Sequence, residues 1–287
     1  MCLLAFAFKT QSSAPLIVTS NRDEFYPRPT LAMHWWPDAP ILAGKDLDAG
    51  GTWLGLSRNG RFAAVTNYRY VNEQGVMESK PLSRGNLVSD FLCSELSAED
   101  WAKNIGPTAA EYGGFNLLLY DGDELVYLNN YEAKPPQRLQ PGVYALSNNC
   151  LDSPWPKVDH AREQLEELVN LNNSAIGING TIGIDSAIGN NSSMTNNSAI
   201  DDNYLDALMA TLSLQKTYAP ELLPNTGVPA VWETLLSSPF IVADGYGTRA
   251  STAIVLSASG DISVAEQTYE AGETLGSQTF RFIASER

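Results

Sequence analysis

Residues 1–25 read MCLLAFAFKTQSSAPLIVTSNRDEF, and this stretch decides the fold. In an extended chain Cys2, Leu4, Phe6 and Phe8 fall on one side and Leu3, Ala5 and Ala7 on the other. Apolar residues on both sides predict a strand buried on both faces. Residues 10–13 are polar and turn-forming, and residues 16–19 are a second run rich in β-branched side chains. Folded as a hairpin centred near Ser12, opposed residue numbers sum to about 24. Phe8 then faces Leu16, and Cys2 faces Arg22 to within about two residues. The most polar cluster of the first half, Asn21-Arg22-Asp23-Glu24, is thereby predicted to lie beside the amino terminus of the chain.

Further strands are predicted at 53–57, 62–66, 115–120, 125–129, 142–147, 250–257, 262–268 and 279–283. Turn signals such as Arg58-Asn59-Gly60, Asp121-Gly122-Asp123 and Ser259-Gly260-Asp261 separate several of them. Helices are predicted at 84–96, 98–105, 157–171 and 202–214. The third carries an apolar stripe of Val158, Ala161, Leu165, Leu168 and Val169 opposite Glu163, Glu166 and Glu167. Strands in antiparallel pairs with helices in blocks point to an α+β fold of stacked layers rather than a doubly wound sheet. Between 173 and 200, Ile176, Ile182, Ile188, Met194 and Ile200 recur every six residues in an Asn/Ser-rich background. Such a period can mark a left-handed β-helix, but repeats this imperfect are read as a solvated insertion, at about 172–203, in a single domain spanning 1–287.

Composition excludes more than it identifies. Lys and Arg number 18 against 33 Asp and Glu, a formal charge of −15 that disfavours nucleic acid and anionic lipid as partners. Hydrophobic residues make up 44% of the 287, enough to bury a sizeable core. Cys2, Cys93 and Cys150 are far apart and odd in number, which argues for a reducing compartment and against a disulfide framework or zinc knuckle. With only His34 and His160, a histidine-based metal site is not expected. The apolar start lacks a basic flank and meets Lys9-Thr10-Gln11 too soon for a signal or spanning segment, so a soluble, cytoplasmic protein without membrane insertion is expected.

Methionine followed by a small residue is normally trimmed, which would leave Cys2 with a free α-amine beside its thiol. An α-amine titrates at about 7.7–8.0 and a thiol at about 8.5, so the amine can accept the thiol proton near neutrality. Nucleophile and base then belong to one residue, and no histidine is needed. The competing reading is a buried cysteine acting as a small hydrophobe. A working thiolate also needs a nearby cation and donors for the oxyanion. Arg22 is placed to lower the thiol pKa and Asp23 to hold the amine; otherwise the two are a surface ion pair at a turn.

The stretches Met1-Cys2, Ser20-Asn21-Arg22-Asp23-Glu24-Phe25-Tyr26-Pro27-Arg28-Pro29, Gly50-Gly51-Thr52-Trp53-Leu54-Gly55 and Thr66-Asn67-Tyr68 resemble the NRDE family, also called the transport and Golgi organisation 2 family. Gly114-Phe115-Asn116-Leu117, Tyr144-Ala145-Leu146-Ser147-Asn148, Pro154-Trp155-Pro156-Lys157 and Tyr246-Gly247-Thr248-Arg249 continue the match in order, with the Asn/Ser-rich stretch unmatched. The resemblance implies an N-terminal-nucleophile (Ntn) hydrolase-like fold, a four-layer αββα sandwich of two antiparallel sheets between helical layers. By similarity to the bile-salt hydrolase and penicillin V acylase branch, Cys2 is the nucleophile and Arg22 with Asp23 the Arg/Asp pair. Asn67 and Asn148 match the two oxyanion-side positions and Arg249 the late arginine. That branch spaces its Arg and Asp as R-x-x-D, whereas here they adjoin, so Glu24 could be the acid or Asn21 could stand in the arginine's place.

Two functions follow as expectations. One is an N-terminal-cysteine amidohydrolase or acyltransferase acting on a non-peptide amide or thioester, with no cofactor required. The other is a non-catalytic carrier for haem or for acyl-CoA or lipid, as the resemblance implies, in a pocket walled by Trp and Tyr. For haem, His34 and Cys93 are the candidate ligands. Gly50-Gly51 is read as a tight turn. The glycines around Tyr246 are read as a place where backbone could approach a ligand.

Overall fold

In chain order the strands are β1 (Cys2–Phe8), β2 (Leu16–Phe25), β3 (Thr30–Trp35), β4 (Ile41–Asp46), β5 (Leu54–Ser57), β6 (Phe62–Asn67), β7 (Phe115–Tyr120), β8 (Leu125–Asn129), β9 (Gln137–Arg138), β10 (Gly142–Leu146), β11 (Val242–Ala243), β12 (Tyr246–Leu256), β13 (Asp261–Glu270) and β14 (Glu273–Ile283). The helices are α1 (Arg84–Cys93), α2 (Ala98–Ile105), α3 (Pro156–Asn179), α4 (Asp202–Ala210) and α5 (Ala230–Leu235). These elements come from a computed structural model that describes residues 2–69, 80–132, 134–179 and 200–285. Met1 and most of the six-residue repeat, residues 180–199, lie outside the described residues.

The β1–β2 hairpin forms in the expected register, Phe8 against Leu16 and Cys2 against Arg22. Around it the first sheet runs β10-β1-β2-β12-β13-β14, with β11 beside β12. The second sheet takes β3 to β9 in chain order, and every pairing in both sheets is antiparallel.

The two-sided patterning of β1 sets the layers. Leu4, Phe6 and Phe8 point between the sheets, where they meet Leu54, Leu56, Phe62, Leu118 and Tyr120. Leu3, Ala5 and Ala7 point the other way, under Val158, Ala161 and Leu165 of α3 and Leu205 and Leu208 of α4. On the outer face of the second sheet, Ala63, Val65, Leu117 and Leu119 pack against Leu87, Val88 and Phe91 of α1 and Trp101 of α2. The result is α+β in αββα order.

Several elements differ from their expected bounds. β2 does not stop at Thr19; its free edge pairs with β12 from Leu16–Leu256 to Phe25–Tyr246, so Asn21-Arg22-Asp23-Glu24 is strand rather than turn. β3 and β4 escape the sequence reading because neither alternates cleanly. β3 is an edge strand with a bulge between Leu31 and His34. In β4, Gly44 looks like a breaker but serves packing: a Cβ there would lie 2.3 Å from the Trp53 ring. α3 runs past its expected end at Leu171 to Asn179, inside the Asn/Ser-rich stretch. Ile200, at the other end of that stretch, is buried among the helix-side core residues of the first sheet.

Asn21 is a structural member of the polar cluster. It is fully buried, and its Nδ2 donates to the carbonyls of Leu212 (2.9 Å) and Pro239 (3.0 Å) while Oδ1 accepts from Ser251 Oγ (2.6 Å). It thereby ties the segments after α4 and α5 to the sheet. Asn21→Ala leaves these buried groups unsatisfied and is expected to lower the unfolding free energy by about 2–4 kcal/mol. Urea denaturation checks this; a loss under about 0.5 kcal/mol, the scale of an ordinary surface substitution, would contradict it.

Candidate active site

Strand periodicity sorts the N-R-D-E residues into two environments. Asn21 and Asp23 face the helical layer, whereas Arg22 and Glu24 face the second sheet together with Cys2. Arg22, Glu24 and Cys2 line a cavity of about 490 Å³. Its far wall is Asp46 of β4, Thr52, Trp53, Val65 and Asn67, and residues 80–85 and Gly113 complete it. The Gly50-Gly51 turn serves this wall. Gly50 adopts φ 77°, and a Cβ on Gly51 would come 2.4 Å from the Gly85 backbone, so two glycines let the turn and the start of α1 touch.

Asp46 organises the cations. Its carboxylate accepts from Arg22 Nη2 (3.2 Å) and from Arg28 Nε (2.7 Å) and Nη2 (3.1 Å). Burial opposes its ionisation, but the bonds from Arg28 and from the Ala49 amide win and hold its pKa below the ordinary value. The Arg22 guanidinium lies 4.3 Å from the Trp53 ring and is 4% exposed. This buried stack replaces the surface ion pair weighed from sequence.

Cys2 is buried, and Ser147 Oγ donates to its carbonyl (3.1 Å), fixing the start of β1. Burial pushes the thiol pKa up, with Asp23 and Glu24 adding to the effect and Arg22 opposing it. On the other face of the strand Asp23 is 1% exposed and accepts from Thr248 Oγ1 (2.8 Å). Burial raises its pKa against the pull of Lys157. Lys157, in the first turn of α3, is 2% exposed; burial and the charge of Arg69 lower its pKa to about 8, with Asp23 and Cys2 opposing.

The other three expected residues separate. Asn67 lines the cavity, and its side-chain amide has no hydrogen-bond partner among the described residues. Asn148 is fully buried and absent from the cavity wall. Its Nδ2 donates to Asn67 O (3.0 Å), and its Oδ1 accepts from Arg69 Nη2 (3.3 Å). It buttresses Asn67 from behind. Arg249 sits at the β12 bulge and donates to the carbonyls of Phe25 (3.1 Å), Tyr26 (2.8 Å) and Tyr269 (3.3 Å). It lines a separate cavity of about 130 Å³ that shares Arg22 and Trp53 with the first.

Of the two glycines beside Tyr246, Gly247 approaches protein, where a Cβ would sit 2.4 Å from the Tyr26 hydroxyl, whereas Gly245 adopts φ 74° with open space beside it. His34 bonds the Ala32 carbonyl and Cys93 is exposed at the end of α1; neither lines the cavity. The expected wall of Trp and Tyr is also absent, since Trp53 is its one aromatic ring among the described residues. The described lining gives a haem no apolar slot. Among the described residues, no three or more His, Cys, Asp or Glu are grouped to hold a metal ion, and no helix is long and apolar enough to cross a membrane.

The family model for transport and Golgi organisation 2 matches residues 1–271. The chain belongs to that family. The Transport and Golgi organization protein 2 homolog of Bos taurus is 30% identical over 283 residues, covering 93% of this chain and 92% of the relative. The Mus musculus homolog is 37% identical over 182 residues, covering 59% and 64%. Among solved structures, the Caenorhabditis elegans N-acylethanolamine-hydrolyzing acid amidase ortholog aligns with a TM-score of 0.43 at 12% identity, over 65% of this chain and 88% of its own. The C2A mutant of the Clostridium perfringens conjugated bile acid hydrolase aligns at 0.41 and 11%, over 99% and 92%.

In this member of the transport and Golgi organisation 2 family, sequence reasoning had left Arg28, Asp46, Arg84 and Lys157 without roles. Arg28 and Lys157 stand in stretches already quoted for the family resemblance. Asp46 ends β4, which carries no clean alternation, and Arg84 opens α1 with nothing in the sequence to turn it toward Cys2, so only the fold reveals them. Lys157 yields a pH test. Its folded pKa of about 8 lies below its ordinary 10.5. Between those values the unfolded chain holds a proton that the folded one has released, so the contribution of Lys157 to stability rises with pH across that window and is flat below it. Wild type is expected to gain on Lys157→Met by on the order of 1 kcal/mol per pH unit there, measured by urea unfolding. Parallel pH slopes in the two chains would refute the assignment.

Proposed function

We propose that removal of Met1 turns this cavity into the active site of an N-terminal-cysteine hydrolase or acyltransferase acting on a small-molecule amide or thioester. The observation that carries the reading is the placement of Cys2. It is the first residue of β1, an interior strand of the first sheet, paired with a buried arginine and lining a cavity of about 490 Å³. With Met1 present the Cys2 nitrogen is an amide, and the buried thiol keeps its proton. Trimming would convert that nitrogen to an amine able to take it. Asp23 and Lys157 on the helix side would set the charge around the amine, and Arg22 would stabilise the thiolate.

The thiolate attacks the substrate carbonyl, and the negative charge passes to oxygen. The free amide of Asn67 is the side-chain donor on the wall where that oxygen would lie. Collapse breaks the C–N or C–S bond, and the α-ammonium returns its proton to the leaving amine or thiol. The acyl group is then a thioester on Cys2. Water completes hydrolysis, or an acceptor amine, alcohol or thiol completes transfer; either nucleophile loses its proton to the α-amine as Cys2 is released. Asn148 and Arg249 act through position, the one behind Asn67 and the other at the turn following β2. The same cavity could house a carrier function, but its charged lining does not favour that reading for an apolar ligand.

Intact-mass measurement is expected to show loss of Met1, and a model thioester to leave an acyl adduct on Cys2 that is absent in Cys2→Ala. A chain with a non-cleavable amino-terminal extension should alkylate slowly at neutral pH, its rate climbing only above pH 9, because the thiol pKa is raised from 9.0. Equal neutral-pH reactivity in processed and extended chains would rule out the amine as base.

A further inference from the structure

Arg84 opens α1, lines the Cys2 cavity, and has no ion pair with a carboxylate among the described residues. Its one hydrogen bond among the described residues runs from Nη1 to the Gly114 carbonyl (3.1 Å). The carboxylates on the cavity wall are already engaged. Asp46 is shared by Arg22 and Arg28, and Glu24 accepts from the Phe25 amide and lies 3.9 Å from Arg28. Burial lowers the Arg84 pKa, and the like charge of Arg28 lowers it further while Glu24 and Cys2 pull the other way. Two guanidinium groups thus repel each other across one cavity, on the side where the thiol stands.

A second donor is unsatisfied beside them. Arg22 is 4% exposed, lines the same cavity, and its Nη1 has no hydrogen-bond partner. The backbone adds to the field: the first turn of α1 has no acidic residue and Ser83 makes no side-chain cap bond. Overall charge makes this concentration unusual. In a protein of net −15, the described lining of this one cavity holds Arg22, Arg28 and Arg84 against Glu24 and Asp46.

We propose that Arg84, with Arg28, binds an oxyanion, a carboxylate or phosphate group, in the Cys2 cavity, and that the small molecule whose acyl group reaches Cys2 is therefore anionic. The first half stands on the cavity alone; the second rests on the catalytic reading above. A guanidinium with unused donors matches an oxyanion in geometry as well as charge, and desolvation within the cavity strengthens the bond. An anion here would also relieve the Arg28–Arg84 repulsion.

Equilibrium dialysis of the full chain against inorganic phosphate and against acetate, with chloride at matched ionic strength as the background, tests the site. Saturable binding of at least one is expected, and which one binds identifies the group. Affinity should fall about 10- to 100-fold in Arg84→Gln and by less in Arg84→Lys, which keeps the charge but not the planar fork. Should Arg84→Gln not fold, wild type alone still decides: the bound anion should slow iodoacetamide alkylation of Cys2 several-fold, and chloride should not. Binding of neither anion, undiminished binding in folded Arg84→Gln, or unaltered alkylation at saturation overturns the proposal. Failure to form an acyl adduct in a chain that binds the anion would sink the catalytic reading and leave this site intact; acylation by neutral and anionic thioesters at equal rates would overturn the anionic-substrate half and leave the catalytic reading standing.

Discussion

The antiparallel register between β1 and β2 is the constraint on which the rest depends. With Cys2 opposite Arg22, the first residue of the strand shares a face with a guanidinium and turns its backbone toward the residues on either side. A slip of one residue would exchange the faces, placing Arg22 under the helices and Asp23 between the sheets. The hydrophobic pattern forbids that slip. Leu4, Phe6 and Phe8 fill the space between the sheets, while the small Ala5 and Ala7 let α3 come close on the other side. Core packing and site chemistry are therefore specified by the same alternation.

Charge is distributed against the trend of the molecule. An acidic chain gathers several of its few cations around Cys2, and Asp46 makes that tolerable by accepting from two arginines at once. The stack of Arg22 on Trp53 shows how the fold buries one of them: the ring covers the guanidinium face and leaves its edge to carboxylate bonds. Behind the strand a second set of buried charges, Asp23, Lys157, Arg69 and Glu233, balances itself largely apart from the cavity. Two electrostatic compartments thus meet at one residue, Cys2, whose side chain belongs to the first and whose backbone adjoins the second.

Much of this was legible in the sequence because it depends on local periodicity. The hairpin register, the two faces of β1, the apolar stripe of α3 and the proximity of Arg22 to Cys2 follow from alternation and turn chemistry. Asn148 and Arg249 could not be assigned from sequence for one reason: a polar residue at a strand end looks the same whether it serves a ligand or a neighbouring carbonyl. Asn148 bonds Asn67, and Arg249 bonds three backbone carbonyls. Asp46 and Arg84 were invisible because their importance comes from contacts between segments far apart in the chain, which neither the unpredicted β4 nor the predicted helix from Arg84 could pair. The same holds for Gly51 and Gly85, whose contact joins residues far apart in the chain.

The length of α3 has a consequence for how this protein can vary. Lys157 sits in its first turn, beside the buried charges, and the helix of 24 residues, about 36 Å long, ends at Asn179. The rod leads from the chemical centre directly into the Asn/Ser-rich stretch, and Ile200 anchors the returning chain in the outer core. The described chain thus leaves at Asn179 and resumes at Ile200 without breaking any element that carries Cys2, Arg22 or Arg84. A tag or reporter inserted between these two anchors interrupts none of the strands and helices that line the cavity.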